Sequence, residues 1–288
     1  MTPFVTIIAV ALLAAITLIV VIALRLEHPW LQPLAVLRAA VQLGILSVIL
    51  GGVISNIWLV AAFLAVMVMA ATWVVYRRLG VAPHYLLPIV ATVVAASAVP
   101  LAVVFATGAI AGSPRYLLAL GGIVIGNTMT VCTLMGRSLG SLYLSQRDEI
   151  EAWLSVGATP RRSALRAVRS AASLALIPST DQTRTTGIVT LPGAFVGAVF
   201  AGASPIQAAQ FQIVVLAAVL AAGALSAATF TAVFGAPEVL PLEERALGER
   251  RTPSLSRASG RPHAPGRPHA PDRPHAPGRP QTPGQIGS

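Results

Sequence analysis

The chain has 288 residues, of which 55% are hydrophobic and only 10% charged, with a mean hydropathy of +0.76. Soluble domains carry roughly a quarter charged residues, so a surface this apolar excludes a protein surrounded by water and requires lipid or neighbouring helices. There is no lysine, so all 20 basic residues are arginine, and the net charge of +10 is set by loops and a basic C-terminal tail; anionic lipid headgroups, rather than nucleic acid, are the expected partner for that charge.

Seven apolar stretches follow in order: 3–24, 30–54, 57–76, 86–107, 117–135, 187–203 and 208–235. A spanning helix needs about 20 residues, so the sequence predicts an all-α, multi-pass membrane protein of about seven transmembrane helices. Arg38 shortens the second stretch from its N-terminal end. Pro192-Gly193 breaks the sixth, which is already short. No basic residue precedes the first stretch, unlike a signal peptide, and Arg25 follows it. Threading from an external N-terminus places Arg25, Arg38, Arg77, Arg78, the arginines from 137 to 184 and the tail in the cytoplasm, with Arg115 outside. That is the positive-inside pattern. It predicts a cell-membrane (plasma or inner-membrane) protein with its C-terminus in the cytoplasm.

The segment 137–186 is too structured in its patterning to be a plain loop. Ser145 and Asp148 have capping-box spacing, with Asp148, Glu149 and Glu151 in the first turns of a helix. Thr159-Pro160 reads as a fresh N-cap and N1 pair. Leu165, Val168, Ala172 and Leu176 then form an apolar stripe beside Arg162, Arg166 and Arg169. Two short cytoplasmic helices with a bend at Gly157-Ala158-Thr159-Pro160 are expected.

The membrane domain so read covers 1–236. The tail, 237–288, carries four imperfect hexamers, RPHAPG, RPHAPD, RPHAPG and RPQTPG. Proline at this density forbids helix and sheet, so the tail is expected to be disordered or polyproline-like. Its histidines, His263, His269 and His275, are spaced about 19 Å apart along a polyproline helix and cannot share one ion without the chain folding back. Cys132, the only cysteine, rules out an intrachain disulfide.

The missing lysine also bears on energetics. A P-loop needs Gly-x-x-x-x-Gly-Lys-Ser/Thr to reach nucleotide phosphates, so this chain cannot carry one. The chain is therefore expected to be a transport subunit rather than an enzyme. If ATP drives it, another chain hydrolyses the nucleotide; a stand-alone channel or secondary carrier fits the same absence.

The run Glu151-Ala152-Trp153-Leu154-Ser155-Val156-Gly157 resembles the opening of the coupling motif of ABC transporter permeases. A short helix lying across the membrane surface can plug into an ATPase groove, with glycine allowing the tight turn and flanking charges fixing orientation. A longer resemblance supports this. Leu154-Ser155-Val156-Gly157-Ala158-Thr159-Pro160, Ile177-Pro178-Ser179-Thr180-Asp181, Gly187-Ile188-Val189-Thr190-Leu191-Pro192-Gly193, Ala201-Gly202-Ala203-Ser204-Pro205 and Gln210-Phe211-Gln212-Ile213 look like the FetB-type permeases. Arg38-Ala39-Ala40-Val41-Gln42-Leu43 and Gly126-Asn127-Thr128-Met129 are similar to that family as well. The resemblance covers about residues 37–235. It implies a homodimeric ABC permease, a separate cytoplasmic ATPase that binds ATP, and a proposed role in exporting iron.

By that resemblance and the charge pattern, Glu149, Glu151, Gly157, Ala158, Thr159, Pro160, Arg162 and Arg166 are the expected ATPase-coupling residues. Polar residues inside spans must face other helices or a water-filled path, which makes Asn127 and Gln42 path candidates. Asp181, three residues from Arg184, either pairs with it or gates the inner mouth. Pro192 and Gly193 mark a discontinuous helix. Gly122-x-x-x-Gly126 and Gly193-x-x-x-Gly197 allow close helix approach, within the chain or across a dimer. Iron meets a chemical difficulty: the apolar cores hold no Asp, Glu or His, whereas Cys132, Met129 and Met135 suit a softer ion such as Cu(I). No metal ligands are assignable from the sequence.

Overall fold

The computed structural model describes residues 3–26 and 28–236; the proline- and histidine-rich repeats fall outside this set. Among the described residues the protein is all helical, with one isolated bridge between Thr186 and Thr190. Its helices are α1 (Pro3–Ala23), α2 (Leu31–Val53), α3 (Ile57–Leu79), α4 (Leu86–Ala106), α5 (Pro114–Ser145), α6 (Arg147–Ser155), α7 (Pro160–Ser163), α8 (Leu165–Thr185), α9 (Gly193–Phe200) and α10 (Pro205–Phe234). Six of them, α1 to α5 and α10, are long and apolar enough to cross a bilayer.

Local chemistry sets several ends. Asn56 accepts from the Trp58 amide at 2.9 Å, starting α3. Ser113 caps α5 with Pro114 behind it. Ser204 and Gln207 form a reciprocal capping box at α10. Each satisfies backbone N–H groups that a helix start leaves unpaired. Gly80 closes α3 in the left-handed conformation at φ 61°, a geometry that L side chains adopt only with strain.

The core lies where α5 and α10 run parallel, flanked by α3, α4 and α8. Tyr116 meets Phe211 near their N-terminal ends, and the Tyr143 hydroxyl donates to the Phe234 carbonyl at 3.0 Å near their C-terminal ends. At 32 and 30 residues, α5 and α10 are about 48 and 45 Å long. Both exceed a hydrocarbon core of about 30 Å, so they project beyond it. Outside this core, α1 leans on α2 and α2 on α3; α1 buries only Val21 and α2 buries no residue.

The segment 137–186 departs from expectation. Arg137 is not in a loop, because α5 continues ten residues past Met135. Ser145 does not cap α6: its hydroxyl donates to the Leu142 carbonyl, and Gln146 occupies the cap position without a side-chain bond. The bend at 156–159 forms, with Gly157 at φ 86° and Pro160 opening α7. Thr159 takes the cap position there without a side-chain hydrogen bond. Beyond the bend there is no short surface helix of the expected kind. After the single turn of α7, α8 runs unbroken for 21 residues between α5 and α10.

The reason lies in side-chain size. Ala167, Ala171, Ala175 and Ser179 recur every fourth residue, and all are buried along with Val168. A helix edge of small residues lets backbones approach closely, as helix association in lipid requires. The expected stripe of Leu165, Ala172 and Leu176 sits at the margin of that face, with Leu165 exposed.

The sixth apolar stretch is correspondingly not a span by itself. Residues 186–192 are non-helical, and α9 has only eight residues, about 12 Å of rise. The return to the far end of the bundle is shared: α8, which is not among the six helices apolar enough to cross a bilayer, starts at the α6–α7 end, the helix stops at 186–192, and α9 continues to the turn before α10.

Candidate coupling elbow and polar cleft

The elbow is built on one anchor. Ile150 of α6 is buried against the cluster that includes Tyr143, Ala164 and Ala167, and this fixes which face of α6 looks outward. Beside it Trp153, and just past the helix Val156, are 47% and 75% exposed. Arg147 pairs with Glu151 at 2.6 Å one helical turn on, and Arg166 of α8 reaches Glu149 of α6 at 3.3 Å. Arg161 donates to the Ala232 carbonyl at 2.8 Å, tying α7 to the last turn of α10. A cleft of about 370 Å³ opens beside Glu149, Trp153, Arg162, Arg166 and Arg169. These exposed pairs add little stability, typically 0–1 kcal/mol, but they present an aromatic ring among charges of both signs.

All eight expected coupling residues therefore sit at one end of the bundle. Glu149 and Glu151 lie on α6, Gly157, Ala158 and Thr159 in the turn, Pro160 and Arg162 on α7, and Arg166 at the start of α8. Arg161, which nothing in the charge pattern singles out, makes the tether to α10.

The second site lies where α8 meets α5 and α10 at mid-length. The Ser179 hydroxyl donates to Asn127 Oδ1 at 2.8 Å, and Asn127 Nδ2 donates to the Val219 carbonyl at 3.0 Å. Three helices are thus joined through one amide. Beside this junction is a cleft of about 470 Å³ lined by Asn127, Thr130, Ser179, Gln182, Thr183 and Gln212, with Pro178, Pro192 and Gly193 at its edge. A Cβ added at Gly126 or Gly193 would meet nothing within 4 Å, so both glycines border open space.

The candidate path residues are distributed unevenly around this cleft. Asn127, Pro192 and Gly193 line it. Asp181 is exposed and does not: it lies two residues from Ser179, about 200° around the helix. It makes no ion pair with Arg184, the two ion pairs among the described residues being those of the elbow. Nor is Asp181 at the mouth near the elbow. Because α8 runs antiparallel to α5, both Asp181 and Arg184 fall beyond Asn127, in the half that holds Arg115; Arg184 consequently leaves the group of arginines placed near the elbow. Gln42 is exposed on α2, which packs mainly against α1 and α3, and is not among the residues lining the cleft. Gln212, not among the expected path residues, is buried at the cleft wall.

Within the single chain the closest approaches to glycine fall at other positions than the two glycine spacings. Gly121 faces Leu64, Gly136 faces Leu79 and Phe230, and Gly223 faces Leu176 and Asn127, whereas Gly197 borders open space. Among the described residues no group of three or more His, Cys, Asp or Glu could hold a metal ion. Cys132 and Met135 are buried in the apolar cluster behind the cleft, so the soft-ligand set of the sequence does not face it.

Fold and composition define a multi-pass α-helical membrane protein. Residues 4–236 match the uncharacterised protein family UPF0014, and the chain belongs to it. It is 33% identical over 206 residues to the UPF0014 membrane protein STAR2 of Oryza sativa subsp. japonica, covering 70% of this chain and 71% of that protein. It is 32% identical over 227 residues to the probable iron export permease protein FetB of Escherichia coli K12, covering 74% and 86%. A third relative, the UPF0014 membrane protein YjkA of Bacillus subtilis 168, is 31% identical over 196 residues, covering 67% and 78%. No solved structure matches the chain.

Proposed function

We propose that the chain is the permease subunit of an ABC transporter, a homodimer driven by a separate cytoplasmic ATPase that binds the ATP. The observation that carries this reading is the continuity of α8. Its first turn meets the elbow through Arg166 and Glu149, and its fourth meets Asn127 through Ser179. Thirteen residue steps of helix separate Arg166 from Ser179, a rod of about 20 Å with Pro178 near its far end. An ATPase that shifts the elbow would displace the cleft wall through this rod, while the break at 186–192 lets α8 move without dragging α9. Coupling of this kind needs a bistable packed element acted on at both ends, and this reading assigns that role to α8, which contacts both sites.

In this reading the elbow and the C-terminus are cytoplasmic, and the N-terminus is outside the plasma or inner membrane. The cargo is exported, and the similarity to a probable iron export permease makes a metal, with iron first, the cargo class to test. The decisive experiment is co-purification of the full chain with a candidate ABC ATPase from the same organism, followed by ATPase assays across metal ions in reconstituted vesicles. A stable complex with cargo-stimulated hydrolysis is expected. Flux that persists without ATPase or ATP would replace this reading with a channel or secondary carrier.

A further inference from the structure

The outward side of α8 carries a pattern that neither the elbow nor the cleft uses. Leu174, Ile177, Asp181 and Arg184 are all exposed and follow one another at alternating steps of three and four residues. Side chains at such steps share one seam of a helix, and this seam lies apart from the side that Ala171, Ala175 and Ser179 bury in the chain's own core. Asp181 and Arg184 pair neither with each other nor with any other described residue, the ion pairs being those of Arg147 with Glu151 and Arg166 with Glu149. The Asn127 junction fixes their depth. Asn127 lies at the middle of the apolar stretch 117–135, and Ser179 meets it there. Asp181 is about 3 Å and Arg184 about 7.5 Å further along α8, so both fall within a hydrocarbon core of about 30 Å.

Ionisable side chains at this depth face a bundle interior or a water-filled cavity, and they pair with an opposite charge. Within one chain neither condition is met: the polar cleft does not include Asp181 or Arg184 in its lining, and no described residue answers their charges. The seam is, however, complementary to itself, with two apolar residues beside one acid and one base. Such a patch fits a second copy, because a two-fold interface brings the same surface of both subunits together. Two copies with one orientation in the bilayer are related by an axis along its normal, so their α8 helices run parallel. The partner's Arg184 then stands about 4.5 Å along the axis from the level of Asp181, within reach of its long side chain. We propose that a second copy of the chain covers this seam, with Leu174 and Ile177 packed on their counterparts and Asp181 of each copy paired with the partner's Arg184. Symmetry forms that pair twice. The proposal rests on the homodimer reading and deepens it by placing the subunit contact.

The test uses the full chain and needs no ATPase. Ile177→Cys, in a chain whose other cysteine, Cys132, is buried, is expected to form a disulfide-linked dimer under mild oxidation in membranes. The dimer fraction is then read by single-molecule photobleaching in liposomes as the labelled chain is diluted in lipid. Asp181→Arg alone, or Arg184→Asp alone, sets like charges against each other and is expected to weaken the dimer by about tenfold or more. The two reversals combined recreate both pairs and restore it, a rescue that general damage to the fold would not show. Where a single reversal does not insert, Asp181→Asn and Arg184→Gln replace it, and each alone is expected to weaken the dimer no less than both together. A dimer that forms without a cross-link at Ile177→Cys, or that persists unchanged through every substitution, meets by another face, such as that of α2. That result overturns the α8 contact and leaves the homodimer reading standing, as does a swap that restores nothing. An unmodified chain that stays monomeric at every dilution removes both.

Discussion

Asn127 shows how much one side chain can decide inside an apolar bundle. Leucine at that position would keep the volume but break two hydrogen bonds, one to Ser179 and one to the Val219 carbonyl. Interhelical hydrogen bonds in membranes are worth about 0.6 kcal/mol on average and up to about 1.7. A double-mutant cycle of Asn127→Ala and Ser179→Ala, followed by thermal unfolding in detergent, is therefore expected to give a coupling of about 0.5–1.7 kcal/mol. A coupling indistinguishable from zero would mean that α8 is not held at the cleft by this contact. The sequence made Asn127 conspicuous because a carboxamide in mid-span is costly without partners. It could not identify Ser179, one hydroxyl among many on a stretch whose direction into the bundle was not apparent.

At the scale of elements, the elbow was legible and the helix behind it was not. Gly157 marked the turn, and its φ of 86° lies where a Cβ costs about 1–2 kcal/mol. A Cβ there would meet no neighbouring atom within 4 Å, so the cost of Gly157→Ala is conformational and local. The expected result is a membrane domain that melts as before while ATPase stimulation by cargo falls several-fold; unchanged stimulation would show that the turn does not transmit motion. For α8, hydrophobicity was a misleading guide. The face of Ala167, Ala171, Ala175 and Ser179 is only weakly apolar, so a search for large hydrophobic residues chose the neighbouring stripe and read a surface helix. In lipid the driving force between helices is close packing, and residue size carries that signal better than hydropathy.

At the scale of the whole molecule, α1 and α2 are the least settled elements of the single chain. Val48 on α2 is 82% exposed and Trp58 at the start of α3 is 79% exposed, while α5, α8 and α10 hold the core. Lipid can cover such faces, and so can a second copy. The homodimer reading predicts that Val48→Cys, in a chain whose only other cysteine is the buried Cys132, forms a disulfide-linked dimer under mild oxidation in membranes. Monomer alone, with Val48→Cys still reactive to a maleimide, would place the subunit contact elsewhere. Gln42, exposed on the same helix, would approach the cleft only if that contact brought it there from the partner.

What the sequence determined by itself was whatever depends on composition and local chain geometry: membrane residence, all-helical class, the ends of most spans, the glycine turn of the elbow and the missing nucleotide loop. These follow from hydrophobic run length, caps and residue inventory, which are properties of neighbours along the chain. Tertiary structure alone decided that α8 enters the bundle and that Asp181 turns away from the cleft. It also decided that Gln212 is buried in the wall of the cleft. Each of those depends on which helices lie side by side, and in lipid that choice is made by the fit of small side chains across long sequence distances.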